Sequence, residues 1–154
     1  MSTTAEIVPA TQAHVDAVTK WLRPSDLDEI QALSRHSPAY EVQRAVALSR
    51  RPLAVTYEGN PLCVFGVIDT NIIAGHGSPW MLGTIWMSQT VLPFLRGSMG
   101  VVDRMKADYN YLFNFVDARN TLTVRWLKWL GFSMSEPVPA GRHGEPIRRF
   151  EWRV

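Results

Sequence analysis

The chain has 154 residues, of which 46% are hydrophobic and 19% charged, and its formal net charge is +2. This length suits one domain, predicted over residues 1–154, and the composition excludes a disordered or collagen-like chain. The small net charge gives no clear signal for nucleic-acid binding, and the one cysteine excludes a disulfide framework or a cysteine-rich zinc site.

Hydropathy predicts no membrane span. The longest apolar run, Leu62–Ile68, has seven residues, whereas about 20 are needed to cross a bilayer. The first twenty residues lack the apolar block of a secretory signal, so we expect a cytosolic protein. The four histidines are scattered along the chain, and no metal site is predicted from them.

The first fifty residues predict one strand and three helices. Thr11 can cap the first helix, because its hydroxyl accepts a hydrogen bond from a free amide of the first turn. Pro24 ends this helix, and Ser25 can cap the second one. The strand is predicted at Glu6–Pro9 and the third helix at Tyr40–Ser49.

The middle of the chain predicts a three-stranded meander followed by a long helix. The turn Glu58-Gly59-Asn60-Pro61 favours a tight reversal between the first two strands. The segment Thr70–Pro79 is predicted as a loop because it contains two glycines and a proline. The predicted strands are Leu53–Tyr57, Leu62–Asp69 and Trp80–Met87, and the helix is Leu92–Tyr109.

The last third predicts alternating strands and helix. Asn120 can cap a helix that Gly131 ends, since glycine readily adopts the left-handed conformation found after helices. A strand precedes this helix and another begins at Phe132. The remaining predicted ranges are the strand Tyr111–Val116, the loop Pro137–Pro146 and the final strand Ile147–Trp152.

This order of elements resembles that of the acyl-CoA-dependent N-acetyltransferase superfamily, GNAT. The sharpest match is FVDARNTLTVRWLKWLGF, residues 115–132, in which Asn120 and Gly131 stand at the family's spacing. The resemblance implies an α+β fold with a mixed central sheet of about six to seven strands and helices on both faces. It also implies acetyl-CoA as the cofactor.

Within that superfamily, the stretch NYLFNFVDARNTLTVRWLKWLGF is similar to a family of small internal virion proteins of short-tailed bacteriophages. The likeness covers roughly residues 80–135. It implies a phage-encoded protein located in the host cytoplasm or the virion, with a host protein or a virion component as its partner. It does not by itself imply an enzyme.

The GNAT resemblance also implies a cofactor site with two parts. One is a helix start whose free amides bind the pyrophosphate, and the other is a splayed strand edge that holds the pantetheine arm. The family's Arg/Gln-x-x-Gly-x-Gly/Ala loop is matched only loosely by Arg96-Gly97-Ser98-Met99-Gly100, and an ordinary helix cap with two glycines that allow close packing explains the same residues. The predicted cofactor contacts are Ile85, Trp86 and Met87 at the strand edge, Ser88, Gln89 and Thr90 at the helix start, and Arg96, Gly97 and Asn120.

The groups that move protons are less well marked. The family commonly has a tyrosine four residues before the Gly of Gly-Phe, and this chain has Leu127 there. Asp69 and His76 are the candidate bases, since a histidine can take a proton near neutral pH, and Tyr111 is the candidate acid.

Two hypotheses therefore stay open. The first is an acetyl-CoA-dependent N-acyltransferase that acts on a host protein or a small amine. The second is a catalytically silent GNAT-fold binding protein that acts in virion assembly or on a host target. Leu127 and the loosely matched phosphate loop favour the second hypothesis.

Overall fold

The computed structural model describes residues 5–89 and 91–154, and within them the chain forms seven strands, five α-helices and one 3₁₀ helix. The strands are β1 (Glu6–Pro9), β2 (Leu53–Tyr57), β3 (Asn60–Asn71), β4 (His76–Gly83), β5 (Tyr111–Asp117), β6 (Ser133–Met134) and β7 (Ile147–Arg153). The helices are α1 (Gln12–Lys20), α2 (Pro24–Leu33), α3 (Pro38–Leu48), the 3₁₀ helix (Ile85–Gln89), α4 (Val91–Asp108) and α5 (Thr121–Trp129).

The strands form one mixed sheet in the order β1-β2-β3-β4-β5-β7-β6. Neighbouring strands are antiparallel except at the centre, where β4 and β5 run parallel. Parallel neighbours need a crossover connection, which α4 supplies here. The sheet therefore has a single parallel pair in the described part of the chain, and this pair lies in its middle.

Helices cover both faces of the sheet. Val18 of α1 and Val42 of α3 pack on one face, against Val64 of β3. On the other face, α4 and α5 pack against β5, where Leu112 is fully buried. The alternation of side chains along each strand separates these two cores, because neighbouring residues point to opposite faces. The predicted mixed sheet with helices on both faces is confirmed.

Several local predictions are confirmed by the backbone. Thr11 accepts a hydrogen bond from the His14 amide and caps α1, and Asn120 caps α5 through the Thr123 amide. Glu58 and Gly59 both have positive φ angles, of 50° and 80°, and they form the two-residue turn between β2 and β3. Positive φ at both positions is typical of the turn that matches the twist of a hairpin.

Several predicted boundaries are wrong. The second helix begins at Pro24, not after Ser25, because proline suits the first turn of a helix. The third helix is Pro38–Leu48 and is capped by Ser37. The segment Thr70–Pro79 is mostly strand, since β3 continues to Asn71 and β4 starts at His76.

The glycine and proline of β4 misled the sequence prediction for physical reasons that the structure shows. A Cβ on Gly77 would lie 2.5 Å from Val67 Cγ1, so this glycine permits a close approach within the sheet. Pro79 lies where β4 has no backbone partner on its β5 side, so its missing N–H removes no ladder hydrogen bond. β4 therefore begins earlier than predicted. It also ends earlier, at Gly83, and residues 85–87, predicted as strand, belong to the 3₁₀ helix.

Candidate functional site

The central strands separate soon after they pair. β4 and β5 are joined only through His76↔Tyr111 and Gly77↔Leu112, although both strands continue for several residues beyond this point. Past it, the Asn114 side-chain amide donates to the Pro79 carbonyl oxygen at 2.8 Å and bridges the widening gap. We call this gap the split.

A cavity of about 500 Å³ passes through the split. On one face of the sheet it is walled by α4 and α5, through residues such as Ser98 and Trp126. On the other face it is walled by α2 and α3, through residues such as Glu29 and Arg44. The cavity therefore connects the two faces of the sheet at the place where the strands no longer pair.

The wall formed by α4 contains a glycine with open space around it. A Cβ built on Gly97 would meet no atom within 4 Å, and the same holds for Gly100 one turn later. Close packing therefore does not explain these two helix glycines, each of which weakens a helix by roughly 1 kcal/mol relative to alanine. Gly97 lines the cavity, whereas Gly100 is not among its lining residues.

The wall formed by α5 combines a capped helix start with an apolar residue. Asn120 Oδ1 accepts a hydrogen bond from the Thr123 amide at 3.2 Å, and both residues line the cavity. Trp126 Nε1 donates to Ser98 Oγ at 3.3 Å and ties α5 to α4. Leu127, where the resembling family commonly has tyrosine, also lines the cavity and is only 6% exposed.

The wall formed by α2 carries two carboxylates in different states of hydrogen bonding. Asp26 is buried and accepts hydrogen bonds from the Arg23 guanidinium and, at 2.7 Å, from the Gly83 amide. Glu29 Oε1 accepts from the Asp117 amide at 2.8 Å, at the end of β5. The other oxygen of Glu29, Oε2, has no hydrogen-bond partner in the described residues.

The half-buried carboxyl of Glu29 is poised to exchange a proton near neutral pH. Burial raises the pKa of Glu29 from 4.5 to about 7, and the nearby charges of Asp26 and Asp117 act in the same direction against the hydrogen bond from the Asp117 amide. An acid with a pKa near the working pH, in a cavity, is well suited to general base catalysis. Glu29 is therefore the strongest candidate for a proton acceptor in this site.

The predicted catalytic residues lie at the closed end of the split, outside the residues that line the cavity. His76 and Tyr111 share a register position, and their ring centroids are 5.1 Å apart. The Tyr111 hydroxyl donates to Glu151 Oε2 at 2.6 Å and accepts from Arg149. These contacts hold the Tyr111 hydroxyl against the neighbouring strand β7, away from the cavity.

Asp69 lies on the opposite face of the sheet from His76, because its register partner is the next residue, Gly77. Its carboxylate accepts from the Tyr109 hydroxyl at 2.6 Å and pairs with the Arg50 guanidinium at 3.0 Å. Burial, together with this hydrogen bond, raises the pKa of Tyr109 to about 12, so the tyrosine keeps its proton. The structure thus does not unite the three predicted catalytic residues in one cluster.

Four of the predicted cofactor contacts also lie away from the cavity. Ile85, Trp86 and Met87 belong to the 3₁₀ helix, and the Ile85 amide donates to the Trp21 carbonyl oxygen. Arg96 is exposed on α4 and does not line the cavity. Ser88 and Gln89 end the 3₁₀ helix, and Thr90 lies outside the described residues. Gly97 and Asn120 are the two predicted contacts that line the cavity.

Glu29 is not among the residues predicted from the sequence, although a signal for it exists. Asp26, Glu29 and Ile30 fall at i, i+3 and i+4 and therefore share one face of α2, and Ile30 is buried. Acidic residues in the first turns of a helix are easily attributed to the helix dipole alone. An acidic residue that only stabilises the helix dipole can lie on any face of the first turns. Glu29 is distinguished as a site residue because it lies on the same face of α2 as the buried Ile30.

Comparison with known proteins shows which fold this is. The chain is similar to the spermidine N-acetyltransferase of Vibrio cholerae in complex with CoA and spermine, with a TM-score of 0.72 and 10% identity over 99% of this chain and 96% of that one. It is similar to a Salmonella typhimurium protein described as an acetyltransferase, solved with its cofactor acetyl-CoA, with a TM-score of 0.73 and 11% identity over 97% and 94% of the two chains. It also resembles the acetyltransferase from Salmonella typhimurium that modifies the N-terminal serine of ribosomal protein L7/L12, with a TM-score of 0.65 and 14% identity over 99% and 96%.

No protein-family profile and no curated protein sequence matches the chain. At 10–14% identity, the structural likeness establishes the GNAT acetyltransferase fold, as the order of elements predicted. In the described residues, no helix is long and apolar enough to cross a membrane, and no group of three or more His, Cys, Asp or Glu residues is placed to hold a metal ion.

Proposed function

We propose that the protein is an acetyl-CoA-dependent N-acyltransferase in which Glu29 acts as the general base. The observation that carries this proposal is the cavity through the split, which joins an open helix glycine on one face to a carboxyl of raised pKa on the other. The proteins of the same fold that are bound to CoA or acetyl-CoA support the choice of cofactor.

The residues of the split fit a pantetheine thioester. Pro79 and Met81 are two residues apart on β4, so their backbone polar groups point to the same side of the strand. The Pro79 carbonyl receives the Asn114 amide across the gap, and this side is therefore the one that faces the split. The Met81 N–H can donate to a carbonyl oxygen placed there, and Gly97 leaves room beside α4 for the approach of the cofactor.

When bound, acetyl-CoA supplies an activated acyl group: a C–N bond forms at its carbonyl carbon as the C–S bond breaks and the thiol is released. The protein's part is to deliver a neutral amine. Glu29, through Oε2, takes one proton from the incoming ammonium group, and its raised pKa makes it a stronger base for this transfer than an ordinary carboxylate. The Met81 N–H stabilises negative charge that develops on the carbonyl oxygen.

The absence of a tyrosine at Leu127 is compatible with this chemistry. A thiol is far more acidic than an alcohol, with a pKa of about 8.5 for the cysteine side chain, so it can leave as the thiolate and take a proton afterwards. A general acid at this position would accelerate the step but is not required for it. Leu127 instead closes the apolar wall of the cavity.

A second candidate function is a silent binding protein, which Leu127 favours because an apolar side chain there contributes no acid.

The likeness of residues 110–132 to internal virion proteins supports the further proposal that the chain is a phage product acting in the host cytoplasm or the virion with a protein partner. Immunodetection in purified phage particles tests that setting. The chain is expected in the particles if it is a virion component and only in lysates of infected cells if it acts on the host.

Thermal unfolding with and without acetyl-CoA, followed by an assay of thiol release with a panel of amines, tests the proposed function. A ligand at 100 times its dissociation constant adds about 2.7 kcal/mol, which raises the melting temperature by roughly 5–11 °C for a domain of this size. We expect both a shift and turnover. A shift without turnover identifies the silent binding protein, and no shift at millimolar acetyl-CoA refutes the proposed function.

A further inference from the structure

The backbone hydrogen bonds between β4 and β5 follow a pattern that predicts how their ladder would continue into the split. At the closed end, the Tyr111 N–H donates to the Gly75 carbonyl oxygen at 3.3 Å, and the register then advances by one residue on both strands. In a parallel pair the hydrogen bonds are evenly spaced, and every second residue of a strand bonds to the same neighbour. Two steps further along this pattern, the Phe115 N–H would donate to the Pro79 carbonyl oxygen.

The side chain of Asn114 occupies this position of the ladder. Its Nδ2 donates to the Pro79 carbonyl oxygen at 2.8 Å, and its Oδ1 accepts from the Phe115 N–H, also at 2.8 Å. A side-chain amide carries both a donor and an acceptor, so it can be inserted into a backbone hydrogen bond and leave neither backbone group unpaired. Asn114 therefore holds the two strands apart by the width of one amide group.

Pro79 removes the other hydrogen bond of the same register position. A regular parallel pair between residues 79 and 114 would also use the N–H of residue 79, which proline lacks. No donor of β4 is therefore left unpaired at this position when the Asn114 amide separates the strands. The separation results from two residues that face each other across the split and whose effects are complementary.

The next donor of β5 is also bound by a side chain. Asp117 follows Phe115 by two residues, so its N–H points to the same side of the strand. This N–H donates to Glu29 Oε1 at 2.8 Å. The two N–H groups of β5 that would extend the ladder into the split are therefore both bound to side chains.

We infer that Asn114 is a positioning residue that keeps the split open for the acyl arm of the cofactor. This inference rests on the proposed acyl transfer, whereas the separation of the strands follows from the hydrogen bonds alone. Pro79, Asn114 and Phe115 all line the cavity. Without the side-chain amide, the Phe115 N–H can bond directly to the Pro79 carbonyl oxygen and close the ladder there. A cofactor would then have to break this new bond in order to bind.

Nuclear magnetic resonance of Asn114→Ala tests the separation directly. In deuterated, cofactor-free protein we expect a scalar coupling through a new hydrogen bond, between the Phe115 nitrogen and the Pro79 carbonyl carbon, that the wild type lacks. The hydrogen bond from the Asn110 N–H to the Gly75 carbonyl oxygen, 2.8 Å long at the closed end, provides the internal positive control. Asn114→Asp is the second variant. Its carboxylate still accepts from the Phe115 N–H, so this variant should show no coupling across the split.

Calorimetry with acetyl-CoA tests the consequence for binding. Asn114→Ala should weaken binding by roughly two- to tenfold, the factor that one net hydrogen bond is worth. Its midpoint of urea unfolding should stay close to that of the wild type, because the direct bond replaces those of the side chain. Asn110→Ala is the matched control, since Asn110 Nδ2 also donates to a backbone carbonyl, that of Ala74, at 3.1 Å and outside the cavity. This control should leave the affinity unchanged.

The outcomes separate this inference from the proposed function. If Asn114→Ala shows no coupling across the split, or shows it with unchanged affinity for acetyl-CoA, the role of Asn114 is overturned and acyl transfer stays in place. An equal loss of affinity in Asn114→Ala and Asn110→Ala overturns that role as well. If the wild type binds no acetyl-CoA, the proposed function fails, and a coupling in Asn114→Ala then supports the separation of the strands by Asn114 on its own.

Discussion

Replacing Glu29 by glutamine should stabilise the protein at alkaline pH. Glutamine keeps the shape of the side chain and can still accept the hydrogen bond from the Asp117 amide. It removes the need to hold a negative charge in a partly buried place beside Asp26 and Asp117. The variant therefore isolates the cost of the charge from the packing of the residue.

The size of the effect follows from the pKa of Glu29. Between pH 4.5 and about 7 the folded protein holds a proton on Glu29 that the unfolded chain has lost, so rising pH lowers the free energy of unfolding. Each unit of difference in pKa is worth 1.36 kcal/mol, and the full difference is about 3 kcal/mol above pH 7. Below pH 4.5 the contribution vanishes.

Urea unfolding at pH 4.5, 6 and 9 measures this difference. The stability of Glu29→Gln minus that of the wild type should grow by about 3 kcal/mol from the lowest to the highest pH. Asp28→Asn is the control, because Asp28 is an exposed carboxylate on the same helix. A difference between Glu29→Gln and the wild type that stays constant with pH would refute the assignment of a raised pKa to Glu29.

Two further predictions concern the opposite wall of the cavity. Gly97→Ala and Gly100→Ala should each stabilise the protein by roughly 0.5–1 kcal/mol in urea unfolding. Only Gly97→Ala should weaken acetyl-CoA binding in calorimetry, because only Gly97 lines the cavity. Equal affinities of the two variants would show that Gly97 does not contact the cofactor. Asn120→Ala should cost about 1 kcal/mol through loss of the hydrogen bond to the Thr123 amide and should also weaken acetyl-CoA binding. Asn120→Ser restores the cap, so recovery of stability without recovery of affinity is the expected pattern, and recovery of both would assign Asn120 to the cap alone.

The sequence was informative where local chemistry determines structure. The Thr11 and Asn120 caps, the Glu58-Gly59 turn and the left-handed Gly131 each depend on a few neighbouring residues, and the structure confirms them. The order of strands and helices then sufficed for the fold, because the crossover α4 places β5 parallel to β4.

Prediction failed where the effect of a residue depends on distant partners. Gly77 and Pro79 suggested a loop, yet they are accommodated in β4 because Val67 lies close to the sheet glycine and β5 has moved away from the proline. The error displaced the expected cofactor edge to Ile85–Met87, beyond the end of β4.

The candidate base shows the same limitation. The pKa of Glu29 depends on burial and on Asp117, which is 88 residues away in the chain. Nothing in the local pattern of α2 reveals that neighbour. Asp69 and His76 were predicted from residue type and proximity to strand ends, and these features do not indicate which face of the sheet a side chain occupies.

The pH dependence of acetyl transfer, measured as kcat for the wild type and Glu29→Gln, tests the central claim most directly. If Glu29 takes the proton of the acceptor amine, kcat of the wild type should rise through about pH 7 and then level off. The variant should lose roughly 10²- to 10⁴-fold in kcat, and its profile should lack that rise. A variant with wild-type kcat and an unchanged profile would contradict the claim.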